Sequence, residues 1–91
     1  MRRPVIAGNW KMYKTPGEAA LLARDVVAGA PGSPAVILAP PYTALTAVAD
    51  VLRGSPVSLA AQNMHWEKEG AYTGEVSPPM LKAAGCTHVI L

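Results

Sequence analysis

Short apolar runs alternate along the chain with longer stretches of helical period, and that alternation predicts a parallel sheet with helical crossovers. Four runs fit strands: Val5 to Gly8, Ala35 to Ala39, Val57 to Ala61 and Thr87 to Leu91. Each is mostly continuous in apolar character, the pattern of a strand covered on both faces. Successive strands start roughly 22 to 30 residues apart, about the length of one β/α unit in an α/β barrel of eight.

Three intervening segments predict helices with legible ends. Thr15-Pro16-Gly17-Glu18 sets a hydroxyl at the N-cap, Pro at N1 and Glu at N3. That is a capping box, in which each side chain satisfies a backbone donor the helix cannot. Ala19, Leu22, Ala23, Val26 and Val27 form its apolar stripe, and Gly29, Pro31 and Gly32 stop it. A second helix, with Thr43 as its expected cap, carries Leu45, Val48, Ala49 and Leu52 at i, i+3, i+4, i+7 spacing and ends at Gly54. A third opens at Ser77-Pro78-Pro79, carries Met80, Leu81 and Ala84, and closes at Gly85. The order is β-α-β-α-β-α-β. Gln62 to Ser77 is the exception, a long loop with no helical stripe, and loops of that length are usually functional.

Composition narrows the partners. A formal charge of +2, from eight Lys and Arg against six Asp and Glu, lacks the clustered basic stripe that nucleic acid requires, so no nucleic-acid partner is expected. The apolar run after Arg2-Arg3 ends within a few residues at Asn9 and Lys11, too soon for a signal peptide. No run approaches the roughly 18 apolar residues of a membrane span, so no membrane partner is expected. The single Cys86 cannot form an internal disulfide, and no Cys/His grouping has metal-ligand spacing. The expectation is a cytoplasmic protein with no metal and no cofactor.

The candidate chemistry lies at the end of the first strand. Ala7-Gly8-Asn9-Trp10-Lys11-Met12 puts an amide and an ammonium at the carboxyl end of a parallel strand, where α/β folds build their sites. Such a pair suits a small anionic substrate on which an oxyanion develops. Position alone leaves Lys11 open between that role and a solvated loop lysine. His65 and His88 read as structural, the second inside a buried strand, because an acid-base role needs a partner within hydrogen-bond reach. Cys86 reads as a buried small apolar residue. Trp10 and Trp66 read as core or interface anchors.

Three motifs in order resemble the triosephosphate isomerase family: Ala7 to Met12, the loop formed by Ala61-Gln62-Asn63-Met64-His65-Trp66 with Gly70-Ala71-Tyr72-Thr73-Gly74-Glu75-Val76-Ser77, and Gly85-Cys86-Thr87-His88-Val89-Ile90-Leu91. The resemblance implies a (β/α)8 barrel, of which residues 1–91 supply the first three β/α units and the fourth strand as part of one domain. It implies interconversion of glyceraldehyde 3-phosphate and dihydroxyacetone phosphate, a step of glycolysis and gluconeogenesis, by proton transfer through an enediolate. Lys11 is then the catalytic cation and a substrate ligand, with Asn9 positioning substrate and lysine. The loop is implied to reach into the partner of a homodimer, making Thr73, Tyr72, Glu75 and Met12 interface residues. Thr73 would lie near the partner's Asn9, and Glu75 would pair with an arginine not among these residues.

Triosephosphate isomerase is itself a standard case of a glutamate base paired with a neutral histidine electrophile under a closing loop. None of these carried-over groups falls within residues 1–91, so the 91 residues alone are expected to be inactive. Four strands of an eight-stranded barrel leave two open edges. The alternative is accordingly a non-catalytic half-barrel that folds only with a complementary chain. A doubly wound phosphate-binding module would instead need a Gly-rich first turn, and here that turn reads Asn-Trp-Lys-Met.

Overall fold

A computed structural model describes residues 3–30 and 34–91. Arg2 and the helix-stopping Pro31 and Gly32 lie outside the described residues. The strands are β1 (Val5–Asn9), β2 (Ala35–Ala39), β3 (Ser58–Ala61) and β4 (His88–Val89), and the helices are α1 (Pro16–Gly29), α2 (Leu45–Leu52) and α3 (Pro78–Ala84). All four strands are parallel and lie side by side in chain order. A doubly wound sheet reverses direction part-way, so this order is that of a barrel wall.

The register runs Val5 to Ala35 through Asn9 to Ala39, then Leu38 to Leu59, then Ala61 to Val89. Strand neighbours in register share a face, and crossovers of one hand carry every helix to the same face of a sequentially ordered sheet. Leu38, Leu59 and Ala61 point to that face. They form one buried cluster with Ala19 and Ala23 of α1, Leu45, Val48 and Leu52 of α2, and Leu81 of α3. A fully buried Leu or Val contributes roughly 1.5–3 kcal/mol. The two alanines of α1 are fully buried one turn apart, where larger side chains would hold the helix off.

The helix ends follow the expected chemistry with one correction. Glu18 Oε1 accepts from the Thr15 backbone N–H and from the Thr15 hydroxyl, each at 3.0 Å. Ser77 caps α3, its Oγ accepting from the Met80 N–H at 3.4 Å. At the other end of α3, Gly85 adopts φ +108. The Cys86 N–H donates to the Leu81 carbonyl and the Gly85 N–H to that of Lys82, which is a Schellman closure. Thr43, however, does not cap α2. Tyr42–Ala44 forms a 3₁₀ turn after Pro40-Pro41, and α2 continues from it at Leu45 without a side-chain cap.

Two further expectations are revised. His88 is exposed rather than buried: it pairs with Ala60 on the face away from the helices, in the edge strand of the described sheet. The continuous apolar character of the first strand does not correspond to cover on both faces either, since Val5 and Ile6 are 53% and 55% exposed. β1 is the other edge strand, and α1 packs against α2 and the 3₁₀ turn. The long loop from Gln62 to Ser77 contains no helix or strand, as expected.

Candidate active site

The candidate site is built at and just beyond the carboxyl ends of the strands. β1 stops at Asn9, and the Trp10 N–H donates to the carbonyl of Ala39, the last residue of β2, at 3.0 Å. The chain then turns. Asn9 Oδ1 accepts from the Lys11 N–H at 3.0 Å, a side-chain mimic of a backbone turn that Asn forms readily. Lys11 takes φ +57 and Lys14 φ +80, a region that a side chain with a Cβ seldom occupies unless its surroundings fix it there. Trp10 packs on the margin of the core and anchors the turn beneath its two lysines.

Gln62, the first residue beyond β3, closes the arrangement. Its Nε2 donates to the Ala39 carbonyl at 2.7 Å and to the Lys11 carbonyl at 2.9 Å. The amide group thus joins the ends of β1, β2 and β3. Asn9, Trp10, Lys11, Tyr13, Lys14 and Leu22 border an open depression of about 270 Å³, and among the described residues Lys11 makes no ion pair. An amide and two ammonium groups around an uncrowded space can hold a small anion, and a cation in that position can offset negative charge that builds up during a reaction.

The loop residues form a second group. His65 stacks on Trp66, with ring centroids 4.5 Å apart, and packs against the tilted ring of Tyr72, at 4.3 Å. Its Nδ1 lies 3.5 Å from Glu75 Oε2, while its buried Nε2 has no hydrogen-bond partner among the described residues. The His65 N–H donates to the Val76 carbonyl and the Glu75 N–H to that of Tyr72. The loop therefore holds its own shape through contacts within itself. Thr73 stands exposed near the crest, Tyr72 is 47% exposed, and Met12 is 93% exposed. Asn9, Lys11 and Met12 thus share one turn, and Tyr72 and Glu75 share another cluster through His65. No hydrogen bond or ion pair joins Thr73 to Asn9 among the described residues.

Elsewhere, burial pushes the Cys86 thiol above the ordinary range, since desolvation disfavours the thiolate. Tyr42 is raised as well, first by desolvation and then by the negative charge of Glu75. Among the described residues, no group of three or more His, Cys, Asp or Glu is placed to hold a metal ion, and no helix is long and apolar enough to cross a membrane.

The sequence profile described as triosephosphate isomerase matches residues 4–91. The chain belongs to the triosephosphate isomerase family. It is 52% identical to the triosephosphate isomerase of Caldanaerobacter subterraneus and 56% identical to that of Chloroflexus aurantiacus, in each case over all of this chain and 37% of the relative. A crystal structure of triosephosphate isomerase from Bartonella henselae superposes with a TM-score of 0.91 at 43% identity, covering 99% of this chain and 37% of that one. The chain thus spans a little over a third of the length of these relatives. The fold is that of the first three β/α units and fourth strand of a (β/α)8 barrel, and Asn9, Lys11 and Gln62 lie at its carboxyl-terminal face, where such barrels carry their chemistry.

Two features of the site were not anticipated from sequence. From sequence Gln62 reads only as the start of the loop, although its place directly after a strand is a usable signal. Lys14 had no signal at all, because nothing in its neighbours marks the turn that brings it beside Lys11.

Proposed function

We propose that the protein of which these residues form part is a triose-phosphate isomerase, interconverting glyceraldehyde 3-phosphate and dihydroxyacetone phosphate in the cytoplasm. The observation that carries this is the fixed turn at Asn9 and Lys11, at the reactive end of a sheet whose sequence and fold belong to that family. Lys11 supplies a positive charge to the substrate phosphate and to the oxygen that gains charge as a proton leaves the neighbouring carbon. Asn9 sets the lysine's backbone through Oδ1 and offers its amide to the substrate. The family resemblance implies a glutamate base and a histidine electrophile as well, and the chain spans 37% of the length of these relatives, so Asn9 and Lys11 are proposed as one part of the machinery.

The loop from Gln62 to Ser77 is proposed to be the contact between two copies, with Thr73, Tyr72, Glu75 and Met12 in it. Its support is an exposed crest on an internally braced loop: a preorganised loop gives up less entropy on binding than a flexible one. An assay of the full-length protein with glyceraldehyde 3-phosphate, coupled to reduction of the dihydroxyacetone phosphate formed, tests the activity. Sedimentation of the same material tests the dimer. Absence of turnover in a folded, full-length sample would refute the isomerase assignment, and a monomer at all accessible concentrations would refute the interface.

A further inference from the structure

We propose that Gln62 is a positioning residue that fixes the direction of the Lys11 side chain. The inference rests on the isomerase reading for its kinetic consequence, but its geometry stands on hydrogen bonds alone. Lys11 lies outside regular structure and has a Cβ, yet it sits at φ +57. Such a residue stays in place only if its neighbours determine it from both sides. On the amino side, the Lys11 N–H is bound to Asn9 Oδ1 at 3.0 Å. On the carboxyl side, the Lys11 carbonyl receives Gln62 Nε2 at 2.9 Å. Both peptide groups flanking the Lys11 Cα are therefore held, and with them the direction in which its side chain leaves the backbone.

The chemistry at Gln62 admits few substitutes. Both of its acceptors are carbonyl oxygens, so the group facing them must carry two hydrogens, and the amide orientation follows from that requirement. The second hydrogen goes to the Ala39 carbonyl at 2.7 Å, which also accepts from the Trp10 N–H. Gln62 thus takes its own position from β2 and transmits it to Lys11 across 51 positions of sequence. Asn is one methylene shorter, Met has no donor, and ionised Glu sets negative charge against two carbonyl oxygens.

A residue that merely braced the strand ends would affect stability when replaced, but would leave the folded enzyme's substrate affinity intact. Positioning has a different signature, because a displaced cation weakens both substrate binding and the reaction. The experiment uses the full-length enzyme at a temperature where every variant is folded. Gln62→Met is measured for kcat and KM with glyceraldehyde 3-phosphate and for competitive inhibition by inorganic phosphate. The same substitution is then made in a Lys11→Met background. We expect a 10- to 100-fold loss in kcat/KM, the scale of a small misplacement of a reacting group, with a raised KM and weaker phosphate inhibition.

In the Lys11→Met background the further loss should stay below about twofold, since residues acting through one another are not additive. Gln62→Glu supplies a second readout, and the decisive one should Gln62→Met fail to fold. Its deficit should shrink as pH falls and the carboxyl regains a donor. Equal losses in the two backgrounds, or unchanged KM and phosphate inhibition with only a lower melting temperature, would overturn the proposal. Absence of turnover in the unaltered enzyme would sink the isomerase reading alone. Phosphate affinity, measured directly by calorimetry on the same pairs of variants, would then still decide the role of Gln62.

Discussion

Replacing Gly85 by alanine tests the packing of this fold at one defined point. Gly85 ends α3 at φ +108, a backbone conformation that costs an L residue roughly 1–2 kcal/mol. The added methyl would also lie 3.0 Å from the Ala49 Cβ of α2 and 3.8 Å from Leu59 Cδ2. Carbon atoms prefer about 3.5–4.0 Å, and neither the Ala49 Cβ nor the helix carrying it has a rotamer with which to retreat. Overpacking of this kind costs about 1–3 kcal/mol. Against these stands the reduced freedom of the unfolded chain, worth about 0.4–1 kcal/mol in favour of alanine.

The net expectation for Gly85→Ala is a destabilisation of about 1–4.5 kcal/mol, centred near 3 kcal/mol, or about 6–12 °C in melting temperature at that centre for a chain of barrel size. The assay is thermal and denaturant unfolding of the full-length protein at one fixed concentration, because the proposed dimer would make stability depend on concentration. Gly29→Ala is the control: it lies in α1 with nothing among the described residues within 4 Å of the added methyl and no positive φ, so it should be neutral or slightly stabilising. Gly85 precedes β4, at the opposite end of the sheet from Lys11, and the folded variant should keep its specific activity. A change of less than about 0.5 kcal/mol at Gly85, or an equal loss at Gly29, would refute the assignment of cost to backbone strain and the Ala49 contact.

Three further outcomes follow from the site and its supports. Lys11→Met should lower kcat/KM by about a thousandfold in the coupled assay, since one unit charge about 4 Å from another is worth roughly 4 kcal/mol at an effective dielectric constant near 20; a loss below tenfold would remove Lys11 from the mechanism. The Glu18 carboxyl is lowered by the Thr15 backbone N–H first and the Thr15 hydroxyl second, so its contribution to stability is present above the ordinary glutamate range and declines as pH falls through the lowered value. Glu18→Gln should accordingly flatten the acid side of the melting-temperature profile, and an unchanged profile would count against the capping contact. Gly70→Ala would place a methyl 2.6 Å from Tyr72 Cε2 at φ +147, forcing the ring off His65 and weakening the proposed dimer by roughly tenfold, the scale of one aromatic pair. Sedimentation equilibrium reads that constant directly, and an unaltered value would detach Tyr72 from the interface.

The parts of this fold that were legible in sequence are those decided by neighbours in the chain. Thr15 with Glu18, Ser77 with two prolines, and Gly85 each state a helix boundary within four residues, and each boundary lies where its chemistry puts it. Thr43 misled because a hydroxyl before an apolar stripe is only a local preference. Pro40-Pro41 instead sets the chain into a 3₁₀ turn that runs straight into α2. His88 and the start of β1 misled for another reason: apolar continuity says that a strand is suited to burial, and what covers an edge strand is decided by elements far away in sequence.

The candidate site divides along the same line. Asn9 and Lys11 were identifiable because the turn between them is local and their residue types announce charge and amide chemistry. The left-handed backbone at Lys11 was not, since such a conformation is advertised by glycine and here it is imposed on a lysine. What imposes it is partly local, through Asn9, and partly a bond from Gln62 that exists only once three strands are in register. A strained cation held by strand register ties the accuracy of the site to the correctness of the fold. An error of one residue in the pairing of β2 with β3 would turn Gln62 to the opposite face of the sheet and release Lys11. The core positions Leu38 and Leu59, which set that pairing from the helix side, thus support the lysine as directly as any residue near it.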